Sequence, residues 1–267
     1  MKKILYFALS LTSAFLAFSC GSTDRGGECD TDTVIVDSLD TLTAKDSLFS
    51  VVRVHYRDSL YGSEENAMAV FDVTIDVPHG PACLVEAINR WIAAQLNHKD
   101  SIGFSEDDLA VLSAEYLHQE GLKPTSRLCD SICMVYHTDR YVSYEIKGNE
   151  SAAGENPLPH YAGVTFDKTT GAELSDSIFS TTDGLGKLLK KHIFAAYSGN
   201  PKIDFEELLF ENMRSEFALP VNPAWLVDSG VRFSYGAYEI APYSAGTPTC
   251  TIPYRLLRRN LGKSISY

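Results

Sequence analysis

The pattern of apolar and polar residues predicts that folding begins with two strands. Residues 48–56 and 68–77 are rich in β-branched and aromatic residues and partly alternate with polar ones. This composition is typical of half-buried strands. Gly62 lies between the two stretches, where it suits the turn of a hairpin. The two stretches are therefore expected to pair as neighbouring strands.

After this hairpin the apolar residues recur at helical spacing. Pro81 stands where a helix can begin, and the apolar stripe that follows predicts a long amphipathic helix. The stripe consists of Leu84, Ile88, Trp91, Ile92 and Leu96. A second helix is expected from Ser105 to near Gly121, because Ser105 is a good N-cap and acids fill the first turn.

The second half of the chain repeats the order of strands and helices. Three strand-like segments come first, at residues 132–136, 141–147 and 161–166. Two helices capped by Asp183 and Asp204 follow, and then a hairpin that turns at residues 228–230. Two successive β–helix–β groupings predict an α+β protein in which helices pack on one face of antiparallel sheet.

The stretch from Tyr235 to Tyr254 closes the fold and does not resemble an ordinary loop. It holds four tyrosines, one acid and three prolines. It is too apolar for a surface loop and too rich in proline for a helix. We expect an edge strand interrupted at Pro242, a turn at residues 244–248 and a returning strand that ends at Pro253.

The N-terminus has the layout of a secretory signal. Two lysines precede an apolar run that is too short for a transmembrane helix, and small residues follow it. Residues 1–19 are therefore predicted to be a signal peptide. The run ends at Cys20 and resembles a bacterial lipobox, in which Cys20 would become the acylated first residue. The alternative is an ordinary signal peptide that ends near a cysteine.

The predicted lipid anchor places the protein in the cell envelope, on the periplasmic or cell-surface side of a membrane. Residues 20–46 are acidic and polar, which predicts a flexible tether. Folded structure is expected after it, as an N-terminal α+β subdomain at residues 47–147 and a C-terminal α+β domain at residues 148–267. The mature chain has no second apolar run long enough to span a membrane.

Composition excludes several classes of partner and site. The net charge of −12 argues against binding to nucleic acid or to anionic lipid, since both require basic patches. The seven histidines are scattered, and no HExxH or GxSxG motif occurs. No cofactor and no metal are therefore expected. Paired carboxylates lie in the first turns of predicted helices, where the helix dipole accounts for them.

Five cysteines remain besides Cys20. They are Cys29, Cys83, Cys129, Cys133 and Cys250. Disulfides can form outside the cytoplasm, but an odd number leaves at least one cysteine unpaired or bonded to another chain. Cys129 and Cys133 are spaced to close a small loop, and two reduced, partly buried thiols are the alternative.

Two groups of residues resemble the RsiV-like C-terminal domain family, a domain of unknown function. The first is FDKTTGAEL at residues 166–174, followed by residues 177–179. The second comprises residues 231–235, YEIAPYSAG at residues 238–246, and IPY at residues 252–254. The family is known from a lysozyme-sensing anti-sigma factor and from a peptidoglycan deacetylase.

The resemblance covers about residues 141–261 and implies an extracytoplasmic α+β module that binds a protein ligand such as lysozyme. The chain differs from both relatives, because it has a lipobox in place of a membrane helix and lacks the separate catalytic domain of the deacetylase. The short turn that precedes the FDxxTG strand in the family is represented here by the longer segment at residues 154–160.

The sequence therefore predicts a non-enzymatic, lipid-anchored envelope protein that binds a protein, for example a lysozyme-like one, or a cell-wall ligand such as peptidoglycan fragments. Tyr238, Glu239 and Tyr243 are the predicted binding residues, since tyrosine offers rigid contact area and a hydroxyl group. Each has a structural alternative, as core or as a cap on backbone groups. Other hypotheses are an envelope glycan hydrolase with an acid such as Glu239 near His160 or Asp167, and a structural subunit of an envelope complex.

Overall fold

The computed structural model describes residues 49–61, 68–98, 103–119, 125–151, 156–197, 204–215 and 217–265. The predicted signal peptide, the lipidation site at Cys20, the tether and Cys29 lie outside these residues. Among the described residues, no helix is both long and apolar enough to cross a bilayer. The fold is α+β, as predicted.

A five-stranded sheet forms the first part of the structure. Its strands, in spatial as well as chain order, are β1 (Ser50–Tyr61), β2 (Met68–His79), β3 (Arg127–His137), β4 (Tyr141–Ser151) and β5 (Leu158–Asp167). The pairs β1–β2, β3–β4 and β4–β5 are antiparallel, as expected, whereas β2 and β3 are parallel. Parallel neighbours need a long crossover connection, and two helices supply it here.

The crossover helices are α1 (Ala82–Gln95) and α2 (Glu106–Leu117), and both pack on one face of the sheet. The predicted start of α2 is confirmed. Ser105 Oγ accepts a hydrogen bond from the backbone N–H of Asp108, and the Asp108 carboxylate accepts one from the backbone N–H of Ser105. This reciprocal capping satisfies two of the otherwise unpaired donors at the helix start. The helix ends at Leu117, before the predicted stop.

The second part of the structure surrounds a three-stranded antiparallel sheet. The sheet is formed by β6 (Trp225–Val227), β7 (Gly230–Ser234) and β8 (Thr249–Ile252), in that order. The accompanying helices are α3 (Leu185–Tyr197), α4 (Phe205–Leu208), α5 (Glu211–Ser215) and α6 (Tyr254–Leu257). The hairpin predicted at residues 228–230 is the β6–β7 turn. Asp204 caps α4, as predicted, by accepting from the backbone N–H of Glu206 at 2.9 Å.

The closing stretch differs from its prediction. Strand β7 ends at Ser234, and residues 235–248 form an irregular loop, the closing loop. It contains one turn of 3₁₀ helix at Tyr243–Ala245. Tyr238 has a φ of 64°, in the left-handed region. A residue in that conformation cannot continue a strand. The expected return is confirmed only for the four residues of β8.

The two sheets are joined by the buried carboxylate of Glu145 on β4, which is 3% exposed. Its Oε1 accepts hydrogen bonds from Trp225 Nε1 at 2.8 Å and from the Arg232 guanidinium, and its Oε2 accepts one from the Tyr161 hydroxyl at 2.8 Å. Trp225 packs directly over Gly163, where an added Cβ would lie 2.4 Å from the indole ring. The two sheets therefore meet through a close-packed indole and a carboxylate that accepts three side-chain hydrogen bonds and also lies 3.4 Å from Lys147 Nζ.

The contacts between the two sheets affect where a domain boundary can be drawn in the chain. The boundary that the sequence analysis places between residues 147 and 148 falls inside β4, and β4 pairs along its length with β5. All the described residues lie within one compact unit.

The strand geometry excludes a disulfide between Cys129 and Cys133. Both residues lie in β3, four positions apart, which corresponds to roughly 13 Å along an extended strand. A disulfide requires Cα atoms within about 7 Å, so these two cysteines are not joined to each other. Cys250 is buried, and this burial raises the pKa of its thiol to about 12.

We expect Glu145→Ala to lower the free energy of unfolding by about 3 kcal/mol, because it leaves Arg232 and two further donors without their shared acceptor. Urea unfolding monitored by tryptophan fluorescence measures the change. Glu150→Ala is the matched control, since Glu150 lies on the same strand but is exposed, and a change within about 0.5 kcal/mol is expected there. Equal losses in the two variants would contradict this role of Glu145.

Candidate functional site

The three predicted binding residues lie in the loop between β7 and β8, and Glu239 has a structural role there. Its Oε2 accepts a hydrogen bond from the backbone N–H of Gly236 at 2.7 Å, and its Oε1 accepts one from the backbone N–H of Val221 at 2.8 Å. The carboxylate thus fixes its own loop and ties it to the segment that precedes β6. This is the capping role that the sequence analysis held as an alternative.

Tyr238 precedes Glu239 and projects its ring into solvent. The side chain is 57% exposed, and the backbone is in the left-handed region. For a residue other than glycine or asparagine that conformation costs on the order of 1–2 kcal/mol. The two Glu239 hydrogen bonds hold the turn around Tyr238, and Glu239 N–H also donates to the Gly236 carbonyl at 3.2 Å. The loop therefore fixes an exposed aromatic ring in a strained position.

Tyr243 lies beside Tyr238, and their ring centroids are 6.0 Å apart. The Tyr243 hydroxyl donates a hydrogen bond to the carbonyl of Pro157, in the segment that leads into β5. Tyr243 is half-buried. Tyr243 thus brings the segment before β5 next to the closing loop, and part of its ring is accessible.

Two exposed apolar side chains extend this area. Val221, whose backbone N–H donates to Glu239, is 86% exposed. Leu158 is 50% exposed and directly follows Pro157, whose carbonyl accepts from Tyr243. We call Tyr238, Tyr243, Val221 and Leu158 the tyrosine surface. Exposed apolar groups next to aromatic rings are typical of interaction sites.

Val221 and Leu158 are not among the binding residues predicted from the sequence. Each occurs as an apolar residue in a short proline-bounded segment, Leu158 in Pro-Leu-Pro and Val221 in Pro-Val-Asn-Pro. Prolines hold such residues in extended, surface-exposed backbone. The proline spacing was a usable signal, but nothing in the sequence placed the two segments beside Tyr238.

The histidine of the hydrolase hypothesis, His160, has a different acidic partner. Its Nε2 lies 2.9 Å from Oδ1 of Asp130 on β3. Gly148 on the intervening strand makes the contact possible, since an added Cβ would lie 1.8 Å from the Asp130 carboxylate. Asp130 is 5% exposed, so its charge is largely removed from water.

The acids named in that hypothesis are not paired with one another. Glu239 holds the backbone N–H groups of Gly236 and Val221. Asp167 accepts from the backbone N–H groups of Thr169 and Thr170 and from Arg140. Burial opposes ionisation of Asp167, but these hydrogen bonds and the Arg140 charge hold the pKa of its carboxyl below the usual range.

No group of three or more histidine, cysteine or acidic side chains that could hold a metal occurs in the described parts of the chain. The candidate site consists of exposed aromatic and aliphatic side chains on backbone that hydrogen bonds hold in place. A ligand could bind to this surface.

The His160–Asp130 pair gives a pH dependence with a definite sign. Burial lowers the pKa of His160, but the adjacent Asp130 carboxylate opposes this effect and outweighs it. The pKa of His160 therefore lies above the usual value for histidine. Stability from the pair is therefore fully present below about pH 6.5 and is lost as the pH rises through the higher pKa of the folded state. We expect the difference in unfolding free energy between the protein and His160→Gln to shrink from about pH 5.5 to about pH 8.5.

Urea unfolding across this pH range measures that difference. In an Asp130→Asn background the histidine loses its charged partner, so the same substitution of His160 should then give a difference that does not fall with rising pH. A pH-independent difference in the unsubstituted protein would rule out the assignment.

Comparison with known proteins places the closing loop inside a described family region. Residues 176–255 match the family "Protein of unknown function (DUF3298)", which is the family of the RsiV-like C-terminal domain. The matched region contains Tyr238, Glu239 and Tyr243 and is narrower than the resemblance drawn from motifs. No curated protein sequence matches the chain.

Solved structures of this family share the fold. A DUF3298 family member from Bacteroides fragilis NCTC 9343 aligns with a TM-score of 0.61 at 17% identity, over 81% of this chain and 94% of its own. A DUF3298 family protein from Pseudomonas aeruginosa PAO1 aligns with a TM-score of 0.59 at 18% identity, over 82% of this chain and 96% of its own. Identity at this level supports the shared fold and carries no assignment of ligand.

Proposed function

We propose that this chain, which carries a DUF3298 domain at residues 176–255, is a lipid-anchored protein of the cell envelope that binds a ligand without catalysing a reaction. The observation that carries the proposal is Tyr238, an exposed aromatic ring held in a strained backbone conformation by the hydrogen bonds of Glu239. Strain of this kind clusters at ligand-binding sites, where it pre-orients a contact residue.

The ligand is a protein or a cell-wall component that covers the tyrosine surface. Tyrosine supplies a large contact area at low cost in side-chain entropy, and its hydroxyl can also form hydrogen bonds. The chain has a net charge of −12, so long-range attraction favours a basic partner over an acidic one. A basic, lysozyme-like protein therefore fits better than an acidic polymer.

The anchor and the compartment rest on the sequence. An apolar signal run followed by Cys20 supports acylation of that cysteine, and the acidic stretch at residues 20–46 supports a tether between lipid and folded domain. The location is the periplasmic or cell-surface side of a membrane.

The hydrolase alternative requires two carboxylates facing each other across a cleft, about 5–10 Å apart. Glu239 and Asp167 instead accept hydrogen bonds from neighbouring backbone N–H groups. These contacts support a structural role for both acids and favour binding over catalysis. A structural subunit remains the second candidate, because Val221, whose backbone N–H donates to Glu239, is 86% exposed.

We expect Tyr238→Asn to weaken ligand binding at least about tenfold, which is about 1.4 kcal/mol, because the ring is lost from the centre of the surface. Asparagine tolerates the left-handed conformation, so the loop should keep its shape. Calorimetric titration of the detergent-solubilised protein with lysozyme and with soluble peptidoglycan fragments measures the effect.

Tyr61→Asn is the matched control, since Tyr61 is 73% exposed at the end of β1 and should leave the affinity unchanged. Equal affinities for Tyr238→Asn and the unsubstituted protein would refute the site. Saturable self-association that Tyr238→Asn abolishes, in the absence of ligand, would favour the structural-subunit alternative.

We expect Cys20→Ala to move the protein from the membrane fraction to the soluble fraction and to abolish incorporation of a labelled fatty acid. The reason is that stable anchoring depends on the acyl chains, each buried CH₂ of which contributes about 0.8 kcal/mol. Cys83→Ala is the control, because Cys83 is an exposed cysteine of the folded part. Label that persists in Cys20→Ala would disprove lipidation at this residue.

A further inference from the structure

A second surface feature is formed in part by the residues that shortly precede Val221. It is a cleft of about 440 Å³ between α3, α5 and residues 217–219. This volume is within the range of pockets that hold small ligands, which is roughly 300–1,000 Å³. The cleft includes none of the four residues of the tyrosine surface.

The charge of this cleft is opposite to that of the chain. Lys187, Lys190 and Arg214 line it, and none of its described lining residues is acidic, although the chain as a whole carries −12. Lys187 is exposed and makes no hydrogen bond or ion pair with any residue that the structure describes. A cation that is not neutralised by the protein is available to an anion from solution.

The other two cations are held in position. Arg214 Nε donates to the carbonyl of Leu209 at 3.2 Å, and its Nη2 donates to the carbonyl of Glu207 at 2.9 Å. Lys190 Nζ lies 3.2 Å from the Glu206 carboxylate and donates to the Arg214 carbonyl at 3.4 Å. Glu206 lies outside the cleft lining and neutralises part of the Lys190 charge, so Lys187 is the main contact for an incoming anion.

The lining of the cleft also includes apolar side chains. They are Phe217 and Leu219, and Leu219 is 39% exposed. Gly186 lets residue 217 approach α3, since an added Cβ would lie 2.5 Å from the Phe217 carbonyl. The cleft therefore combines positive charge with aliphatic and aromatic surface.

We propose that this cleft binds the free C-terminal carboxylate of a short peptide together with the apolar side chain next to it. The carboxylate lies against Lys187 and Lys190, and the apolar side chain packs on Phe217 and Leu219. Cell-wall peptides and the C-termini of proteins share this chemistry. The site is separate from the tyrosine surface and does not depend on what that surface binds.

The wall of the cleft is anchored in the closing loop. The Tyr235 hydroxyl donates to the Ala218 carbonyl at 2.7 Å, and Tyr235 is fully buried. Residues 217–219 are thus fixed before a ligand arrives, which reduces the entropy lost on binding.

The test is a titration of the detergent-solubilised full chain with N-acetyl-Leu-Leu, followed by NMR and calorimetry. The same peptide with a C-terminal amide has the same apolar part without the charge, and we expect it to bind at least about tenfold more weakly. Lys187→Gln should weaken binding of the free acid about three- to tenfold. Lys191→Gln is its matched control, because Lys191 is exposed on the same helix but does not line the cleft, and it should change nothing.

Leu219→Ala should weaken binding of the peptide acid without changing binding of inorganic phosphate. Leu256→Ala is its control, since Leu256 is 42% exposed but does not line the cleft. Equal binding of acid and amide, or the absence of binding at millimolar peptide, would overturn the proposal. Inorganic phosphate that binds as tightly as the peptide acid would also overturn the proposal, because the apolar side chains of the cleft would then contribute nothing to binding. These outcomes do not involve the tyrosine surface, so they leave the proposed function untouched.

Discussion

The buried carboxylate of Glu145 is the contact on which the arrangement of the two sheets depends, because it is shared by side chains from both. A carboxylate that is 3% exposed is costly to remove from water unless its oxygens are fully hydrogen-bonded. Trp225, Arg232 and Tyr161 meet that requirement together. Any shift of one sheet against the other would break several of these bonds at once.

The tyrosine surface is a consequence of that junction. Tyr238 and Tyr243 come from the loop between β7 and β8, while Pro157 directly precedes β5 and Leu158 is its first residue. The hydrogen bond from Tyr243 to the Pro157 carbonyl joins the two. Because the surface draws on both sheets, its geometry is set by the buried contacts between them and not by the loop alone.

Residues 217–221 separate two surfaces of different chemistry. The Ala218 carbonyl accepts from Tyr235, and the Val221 N–H donates to Glu239, so the closing loop fixes this segment at both ends. Val221 contributes to the tyrosine surface, and residues 217–219 contribute to the lining of a cationic cleft. A single segment thus contributes to both proposed binding sites, and Glu239 and Tyr235 hold it in place.

Local signals in the sequence were sufficient for most helices and strands of the fold. The Ser105 cap, the amphipathic stripe after Pro81 and the β6–β7 turn each depend on residues close together in the chain, and all are confirmed. The family resemblance likewise rests on short motifs, and the match at residues 176–255 confirms it.

The tertiary structure decided the features that depend on distant residues. Trp225 and Glu145 are 80 positions apart, and Tyr243 and Pro157 are 86 apart, so no local pattern could pair them. The same holds for the parallel pairing of β2 with β3, which the crossover helices impose. The expected edge strand became a loop at Tyr238, where the Glu239 carboxylate accepts from nearby Gly236 and from Val221, 18 positions away, and so stabilises a left-handed backbone that propensity alone disfavours. By itself the sequence determined most of the elements and the resemblance that the match at residues 176–255 supports, and packing between the sheets determined which residues form the surface.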